Sequence, residues 1–358
     1  MNEVEIELES APETAPWTGP LLEVRDLEVT FPSDDGPVHA VGGISFDIDE
    51  NETLGIVGES GSGKSVTSMA ILGLLPKQAV VTGSIKLRGR ELLGLRERDL
   101  QPIRGKSIAM VFQDALASLN PVIKVGRQIA EAITVHSEIS DAAVDERVVE
   151  LLDLVGIPNP RERASQYPHE YSGGMRQRAM IAMSIANDPD LLIADEPTTA
   201  LDVTIQAQVL EVLERIQDRT RSSIVLITHD LGVVAGVADR VLVMYAGKQV
   251  EMADVDEVFY NPRHPYARGL LASLPRVDGR RGARLNRIIG QPPSLLTLPT
   301  GCAFHPRCDD RRLPEPCATQ IPPLRDIGNG HLSACHFAED LPALSTTDLA
   351  SDGGGEGG

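Results

Sequence analysis

Short apolar runs rich in β-branched residues recur between Leu21 and Asn261, and stretches with helical periodicity separate them. A run of roughly four to eight apolar residues bounded by turn residues is typical of a strand buried on both faces. The runs are "TLGIVG", "SIAMVFQ", "DLLIADEP", "SIVLITHD" and "RVLVMYAG". Because helical patterns alternate with them, the sequence predicts an α/β fold in which helices cover parallel strands.

One helix can be bounded at both ends from the sequence. Between Ser140 and Gly156 the apolar residues fall at helical spacing. They are Val144, Val148, Leu151, Leu152 and Val155. The pattern predicts a helix with Ser140 or Asp141 as its N-cap and Gly156 as its stop.

The two ends of the chain and the segment after Asn261 have a different texture. Residues 1–20 are acidic, contain proline and show no period, and residues 341–358 end in a glycine-rich run. Both ends are predicted to be disordered tails. Residues 261–340 are marked by proline, arginine and all four cysteines. We interpret them as a small irregular C-terminal domain that follows a main domain of residues 21–260.

The composition limits the kinds of partner. The formal net charge is -19, and only six of the 33 basic residues are lysines. Such a surface repels phosphate backbones and anionic lipids, which argues against nucleic acid as a partner and against direct membrane adsorption. Excess carboxylate with scarce lysine resembles the proteins of a halophile, although any acidic cytosolic protein would also fit. Neither a secretory signal nor a membrane-length apolar run is found, so a cytosolic location is expected.

The stretch "GESGSGKS", from Gly58 to Ser65, follows the run "TLGIV" and precedes a helical pattern. It fits the P-loop pattern G-x-x-x-x-G-K-S in the strand–loop–helix context that this motif requires. Backbone N–H groups of such a loop close around a phosphate, and the helix N-terminus adds partial positive charge. Lys64 would reach the β- and γ-phosphates of a nucleotide, and Ser65 would offer its hydroxyl to Mg²⁺. The alternative is a Gly/Ser-rich turn with an incidental lysine.

Two adjacent acids end the predicted strand "LLIADE". Asp195 is expected to hold Mg²⁺ through water, and Glu196 is expected to polarise the water that attacks the phosphate. A capping pair at a strand-to-turn junction is the alternative. The P-loop in the same chain favours the catalytic interpretation.

A second anion site is predicted at "YSGGMRQR". Ser172 is a natural N-cap, and Gly173 and Gly174 leave the first amides of the following helix uncovered. One P-loop together with one separate helix-end phosphate site indicates a composite site that two subunits share.

The motif set as a whole resembles the nucleotide-binding subunit of an ABC transporter. The motifs are "GESGSGKS", "VFQD", "YSGGMRQR", "LLIADEP", "TTALD" and "LITHD", in this order, within residues 21–261. The resemblance implies a P-loop NTPase core of the ABC type with a helical subdomain at about residues 114–185. It also implies ATP and Mg²⁺ as ligands and two ATP molecules held between two subunits. The family's usual "LSGGQ" ends here in Met175, which removes a side-chain amide but keeps the serine and both glycines.

The resemblance also implies roles for individual residues. Gln113 would sense Mg²⁺ and contact the membrane partner, His229 would close on the γ-phosphate, and Asp202 would lie at the dimer interface. Phe31 would stack on adenine, although Val38 lies near the same expected position. The residues expected to bind ATP are Phe31, Gly58, Glu59, Ser60, Gly61, Ser62, Gly63, Lys64, Ser65, Val66, Ser172, Gly173, Gly174 and Asp202. The residues expected at Mg²⁺ are Ser65, Gln113 and Asp195. The expected catalytic residues are Glu196, His229 and Gln113.

Longer stretches resemble the dipeptide and oligopeptide importer ATPases. They are "LASLNP", "TTALDVTIQAQVLEVL", "NPRHPYARGLLASLP" and "PTGCAFHPRC". The resemblance implies an ATPase that energises peptide import at the cytoplasmic face of the plasma membrane. Its expected partners are a second, different ATPase subunit, two transmembrane permease subunits and an extracytoplasmic solute-binding protein. The alternatives are a soluble ABC ATPase without a transporter, for example in iron–sulfur assembly, and a regulatory subunit that binds ATP without hydrolysing it.

The cysteines lie in a segment with little apolar material for a core. Cys302, Cys308, Cys317 and Cys335 are separated by five, eight and seventeen residues. Such a segment needs a staple to hold one conformation, and a reducing cytosol disfavours disulfides. Four thiolates suit Zn²⁺ or an iron–sulfur cluster. The resemblance implies a [4Fe–4S] cluster with a structural or redox-sensing role, while zinc and free or disulfide-bonded cysteines stay open as alternatives.

Overall fold

The computed structural model describes residues 17–113, 118–199, 202–274 and 288–342. The strands are β1 (Leu22–Phe31), β2 (Val38–Ile48), β3 (Thr53–Val57), β4 (Val80–Leu87), β5 (Arg90–Glu91), β6 (Ile108–Val111), β7 (Leu191–Asp195), β8 (Ser223–Thr228), β9 (Arg240–Tyr245), β10 (Lys248–Asp254), β11 (Arg325–Asp326) and β12 (Leu332–Ser333). The helices are α1 (Lys64–Ile71), α2 (Glu97–Leu100), α3 (Val125–Thr134), α4 (Asp141–Leu154), α5 (Pro160–Arg163), α6 (Gly173–Ser184), α7 (Val203–Thr220), α8 (Leu231–Val234), α9 (Val255–Tyr260) and α10 (Pro265–Ala272).

The larger sheet has eight strands in the order β11-β12-β10-β9-β3-β8-β7-β6. The five strands from β9 to β6 run parallel to one another. They are the five apolar runs of the sequence, so the prediction of a parallel sheet is confirmed. Every residue of β3, β7 and β8 is buried, which explains why these segments are continuously apolar and do not alternate.

The smaller sheet has four antiparallel strands in the order β2-β1-β4-β5. Its buried face shares one apolar core with α1 and with the main sheet, as the membership of Val29, Ile71 and Ile56 in a single cluster shows. Phe31 and Val38 are register partners at one end of the β1–β2 pair. The two candidates for adenine stacking are therefore direct neighbours.

Helices α3, α4, α6 and α7 contribute to one apolar core, to which Val125, Leu151 and Met180 belong. Helix α4 has Ser140 as its N-cap, whose hydroxyl accepts a hydrogen bond from the Ala143 N–H at 3.4 Å. Gly156 follows the helix with φ +70°, a left-handed conformation that ends the helix readily only at glycine. The bounds predicted for this helix are thus confirmed. Residues 114–117, where we expect the helical subdomain to begin, lie outside the described residues.

The C-terminal segment extends the main sheet. Strand β12 pairs with β10, and β11 pairs with β12. Tyr245, Tyr266 and Phe304 are buried in one cluster that joins the main sheet to residues beyond Asn261. The boundary predicted near Asn261 therefore marks a change of sequence texture, while the sheet and its core continue across it.

The predicted tails are only partly described. Residues 1–16 and 343–358 lie outside the described residues, whereas residues 17–20 are placed and the Trp17 indole donates to the Pro20 carbonyl at 2.9 Å. None of the helices within the described ranges is long and apolar enough to cross a membrane.

Candidate functional site

The P-loop follows the buried strand β3 and ends at the first turn of α1. Gly63 precedes this helix with φ +100°, and a Cβ at this position would lie 2.5 Å from the Ala40 carbonyl oxygen. Both the backbone conformation and the close approach require glycine here. The glycine-rich pattern therefore has a local cause that is independent of any ligand.

Lys64 points into the P-loop. Its side chain donates from Nζ to the carbonyl oxygens of Gly58 at 2.7 Å and Glu59 at 3.0 Å, and the residue is only 4% exposed. Burial lowers the pKa of Lys64, and the nearby carboxylates of Glu196 and Asp195 oppose this shift. An ammonium group is thus held where a loop of this kind receives phosphate.

Ser65 and Asp195 bring two oxygen ligands together from different elements. The Ser65 hydroxyl donates to Asp195 Oδ1 at 3.0 Å, at the point where α1 begins and β7 ends. Asp195 is 4% exposed, and its burial raises the pKa of its carboxyl while the Ser65 hydroxyl lowers it. A hydroxyl and a carboxylate are the ligands that Mg²⁺ accepts beside phosphates and water, so the donor set fits this ion.

Glu196 is the centre of a polar cluster. Its Oε2 accepts hydrogen bonds from the Thr199 hydroxyl at 2.6 Å and from Gln113 Nε2 at 3.1 Å. Its Oε1 lies 3.4 Å from His229 Nδ1. The backbone of Glu196 has φ +49°, and its N–H donates to the Ile227 carbonyl of β8 at 2.8 Å. The three residues predicted to be catalytic are therefore in contact.

Thr199 was not among the residues predicted for the site. Its position in "EPTT" gave a usable signal, because a residue three positions beyond Glu196 in a tight turn can reach back to its side chain. Thr199 and Gln113 thus both donate to Oε2 of Glu196, while Oε1 lies beside His229.

One cleft of ≈ 550 Å³ joins the P-loop to this polar cluster. Its lining includes Glu59 and Ser60 of the P-loop and all three members of the predicted catalytic set. Three lining residues come from the C-terminal part of the chain and were not predicted; they are Leu270, Ser273 and Ile288. The stretch "ARGLLASLP" reads as an ordinary amphipathic helix, so the sequence carries no signal for this contact.

The second predicted anion site has the expected local geometry. The Ser172 hydroxyl caps α6 by accepting from the Met175 N–H at 3.3 Å. Ser172 and Gly173 are exposed, and a Cβ at Gly173 would meet no described atom within 4 Å. Gly174, in contrast, packs on α7, where a Cβ would lie 2.9 Å from Ile205 Cγ2. This helix end is open on one side, and its residues are not among those that line the cleft.

Three other predicted ligand residues lie at separate places. Asp202 is exposed and caps α7, with its carboxylate accepting from the Ile205 N–H at 3.0 Å. Phe31 and Val66 are half-buried and pack against the core of the smaller sheet. Within the chain, Asp202 therefore acts as a helix cap, and Phe31 has part of its ring surface covered by apolar neighbours.

The His-Pro-Tyr element begins α10 and also contacts the P-loop. His264 is the N-cap, and its Nδ1 accepts from the Tyr266 N–H at 3.1 Å, while Pro265 takes the first helical position. The Tyr266 hydroxyl accepts a hydrogen bond from the Glu59 N–H at 2.8 Å. The sequence showed this motif, but the contact with the P-loop depends on tertiary structure and was not predicted.

All four cysteines line one small pocket, with a cavity volume of ≈ 20 Å³. They are free thiols. Two of the sulfurs accept a backbone N–H, that of Arg312 at Cys317 and that of Phe337 at Cys335, both at 3.4 Å.

The thiols of this cysteine pocket are electrostatically coupled. Burial, together with the neighbouring thiols, raises the pKa of Cys308 to about 12 and that of Cys335 to about 11, and it raises the pKa of Cys302 as well. Four thiols around one pocket supply the ligand type that a metal–sulfur group needs. Among the described residues, no group of three or more His, Cys, Asp or Glu side chains is already arranged around a single metal ion position.

Comparison with known proteins places these features in a family. The "ABC transporter" family matches residues 41–199, and the family "Oligopeptide/dipeptide transporter, C-terminal region" matches residues 250–317. The oligopeptide transport ATP-binding protein OppD of Bacillus subtilis is 56% identical over 286 residues, which cover 79% of this chain and 80% of that protein. OppD of Mycobacterium bovis is 53% identical over 331 residues, 92% of this chain, but this chain spans only 54% of that relative's length.

The fold also resembles that of a solved structure. A solved component of an ABC transporter complex from Clostridium perfringens superposes with a TM-score of 0.58 at 28% identity, covering 67% of this chain and 90% of that one. The fold class predicted from the sequence, a P-loop NTPase core of the ABC type, is confirmed. The chain belongs to the oligopeptide and dipeptide transport ATP-binding proteins of the ABC transporter family.

Proposed function

We propose that this protein binds ATP with Mg²⁺ and hydrolyses the ATP to drive import of peptides through a membrane transporter. The observation that supports this most directly is the cleft whose lining combines Glu59 and Ser60 of the P-loop with the Glu196 cluster. The family membership and the oligopeptide transport ATP-binding proteins among the relatives support the peptide substrate.

The P-loop binds the phosphates. Backbone N–H groups of the loop from Gly58 to Ser65, other than that of Glu59, surround them, and the Lys64 ammonium neutralises charge on the β- and γ-phosphates. The Ser65 hydroxyl and the Asp195 carboxylate, 3.0 Å apart, hold Mg²⁺ directly or through water, with Gln113 completing the set. When bound, the ion draws negative charge away from the γ-phosphate. Phe31, beside Val38, contacts the adenine.

Glu196 orients and deprotonates the attacking water. Thr199 and Gln113 donate to one carboxylate oxygen and so fix its plane, which leaves the other oxygen, beside His229, to receive the proton. His229 is exposed, with 57% of its side chain accessible, and it contacts the γ-phosphate from the open side of the cleft. Gln113 connects the Mg²⁺ site to the Glu196 carboxylate.

The complete site forms between two ATPase subunits. The open end of α6 at Ser172 and Gly173 binds the γ-phosphate held by the P-loop of the opposing subunit, with Gly174 behind them and Asp202 near the shared surface. The opposing subunit is a second, different ATPase chain. Two permease subunits and an extracytoplasmic solute-binding protein complete the transporter, and this chain lies at its cytoplasmic face.

The cysteine pocket holds a [4Fe–4S] cluster. Cys302, Cys308, Cys317 and Cys335 fit this group because all four line one pocket, and the sulfurs of Cys317 and Cys335 accept backbone N–H groups, the interaction that stabilises cluster thiolates. The cluster supplies a covalent staple and a redox centre. Zinc is the alternative occupant, since four thiolates also suit that ion. Metal analysis of the purified protein distinguishes the two.

The test is ATP hydrolysis and peptide uptake by the chain reconstituted in proteoliposomes with its permeases and partner ATPase. We expect hydrolysis that depends on Mg²⁺ and is stimulated by peptide-loaded binding protein. ATP turnover without co-purification of membrane subunits would favour a soluble ABC ATPase. Tight ATP binding without turnover would favour a regulatory subunit.

A further inference from the structure

Arg307 forms a bidentate ion pair with Glu59 of the P-loop. Its Nη1 lies 2.6 Å from Glu59 Oε2 and its Nη2 lies 2.9 Å from Oε1, the fork-to-fork geometry of a strong charge-assisted pair. The Arg307 side chain is 6% exposed, so the pair is shielded from water on the side of the arginine. Arg307 directly precedes Cys308 in the chain, and Glu59 lies 248 positions away from it.

Aromatic residues fix the position of this arginine. Nη1 of Arg307 also donates to the Tyr245 hydroxyl at 3.3 Å, and the Tyr245 ring packs edge-on against Phe304 with centroids 5.2 Å apart. Tyr266 packs on the same Phe304 ring at 5.4 Å and accepts from the Glu59 N–H at 2.8 Å. Residues of the C-terminal segment therefore hold both the main chain and the side chain of Glu59.

The charge of Glu59 has a consequence for nucleotide binding. This residue lines the cleft and lies within the loop that is to receive a highly negative ligand. An unpaired carboxylate there would repel the phosphates, and removal of its buried partner would leave that charge uncompensated. The Arg307 guanidinium contacts both carboxylate oxygens of Glu59 and so neutralises this negative charge.

We propose that Arg307 is a positioning residue for ATP binding, which the cysteine-containing segment contributes to the P-loop. Arg307 fixes the Glu59 end of the loop and cancels a charge that opposes the phosphates. Cys308 belongs to the cysteine pocket, so the residue that holds the P-loop is anchored next to that pocket. This inference rests on the function proposed above.

The experiment compares Arg307→Ala, Glu59→Gln and the double variant in the full transporter. We expect Arg307→Ala to raise KM for ATP and the dissociation constant of a fluorescent ATP analogue roughly tenfold or more, with kcat nearly unchanged. The double variant should recover most of this loss, because the unpaired carboxylate is gone. Glu59→Gln alone should bind the analogue more tightly, since it leaves a positive charge near the phosphates.

Arg312→Ala is the matched control. Arg312 lies in the same segment and pairs with Asp340 at 3.0 Å, but both side chains are exposed and neither lines the cleft that contains Glu59. Its KM for ATP should equal that of the unaltered protein. If Arg307→Ala fails to fold, Arg307→Lys replaces it, with an intermediate rise in KM expected because the bidentate geometry is lost.

An unchanged KM in Arg307→Ala would overturn the inference. So would a lowered melting temperature with no recovery in the double variant, because that outcome indicates only a structural role. Unaltered protein that binds the analogue without turnover would contradict the proposed function instead, and the dissociation constants of the variants would still decide on Arg307.

Discussion

The Ser65 hydroxyl donates to the Asp195 carboxylate at 3.0 Å, which joins the start of α1 to the end of β7. Glu196, the next residue, is turned into the cleft by its left-handed backbone. The two adjacent acids at the end of β7 therefore have different neighbours. Asp195 contacts Ser65 of the P-loop, and Glu196 contacts Gln113 and His229.

Replacement of Glu196 by glutamine should separate ATP binding from hydrolysis. Glutamine keeps the shape of the side chain but cannot accept a proton from water, and general-base catalysis is typically worth about 10²- to 10⁴-fold in rate. We expect kcat to fall by this factor while the dissociation constant for ATP stays close to that of the unaltered protein. Steady-state ATPase assays and nucleotide titration measure the two quantities. Glu211→Gln, at an exposed position of α7, is the control, and unchanged turnover in Glu196→Gln would remove Glu196 from its proposed role.

Replacement of Lys64 by alanine should weaken ATP binding itself. The Lys64 ammonium would neutralise phosphate charge already in the ground state, so its loss raises the dissociation constant as well as slowing the reaction. Equilibrium titration with a fluorescent nucleotide measures this effect. Lys77→Ala removes an exposed lysine elsewhere and should leave the affinity unaltered. Equal affinity in both variants would contradict the assignment of Lys64 to the phosphates.

Much of the fold could be predicted, because its signals are local. The buried parallel strands are continuous apolar runs, and the caps Ser140 and Ser172 satisfy N–H groups only three residues away. The P-loop is recognisable because its glycines are required by its own backbone geometry.

The contacts that were missed join distant parts of the chain. Tyr266 and Arg307 reach Glu59 across 207 and 248 positions, and no periodicity or spacing records such a contact. The continuation of the sheet into β12 was missed for the same reason, since a strand of two residues has no detectable pattern. The halophilic origin and the adenine contact of Phe31 stay predictions.

Ser172→Arg tests the composite site. A bulky cation at the N-terminus of α6 would block the γ-phosphate bound to the opposing subunit, while the P-loop of the same chain would be untouched. Nucleotide binding by the isolated chain should therefore be normal, whereas ATP-dependent association measured by light scattering and ATP hydrolysis should both be lost. Ser172→Ala, which removes only the cap, should reduce hydrolysis less. An ATP-dependent dimer that still forms with arginine would argue against the shared site.

The cysteine pocket predicts a coloured protein. Anaerobic purification should yield brown protein that absorbs near about 400 nm and contains iron and sulfide in equal amounts. Cys308→Ser removes the thiol whose pKa is raised to about 12 by burial. This variant should lose the colour and the iron, and its melting temperature should be lower. Colourless protein with stoichiometric zinc would exclude the cluster and show that zinc links the four cysteines instead. Metal-free protein of normal stability would exclude both.

His264 should make the protein less stable in acid. It is 1% exposed, and burial lowers its pKa from the usual 6.5 to about 3, so it is neutral in the folded chain. The unfolded chain takes up a proton near pH 6.5, and stability that is fully present above this pH is lost as the pH falls towards 3. The expected slope below pH 6.5 approaches about 1.4 kcal/mol per pH unit.

His264→Asn isolates this contribution. Asparagine is a favoured N-cap whose side-chain oxygen can accept the Tyr266 N–H, but it does not titrate. Denaturant unfolding of both proteins at pH 7, 6 and 5, with identical cluster content, gives the pH dependence of the free energy of unfolding. The buried carboxyl of Glu251, whose pKa is raised by burial, contributes with the opposite sign in both proteins and cancels in the comparison. We expect the asparagine variant to be less stable at pH 7, because its smaller side chain leaves unfilled space, but to lose about 2 kcal/mol less between pH 7 and pH 5. Parallel pH profiles for the two proteins would show that His264 is not the group responsible.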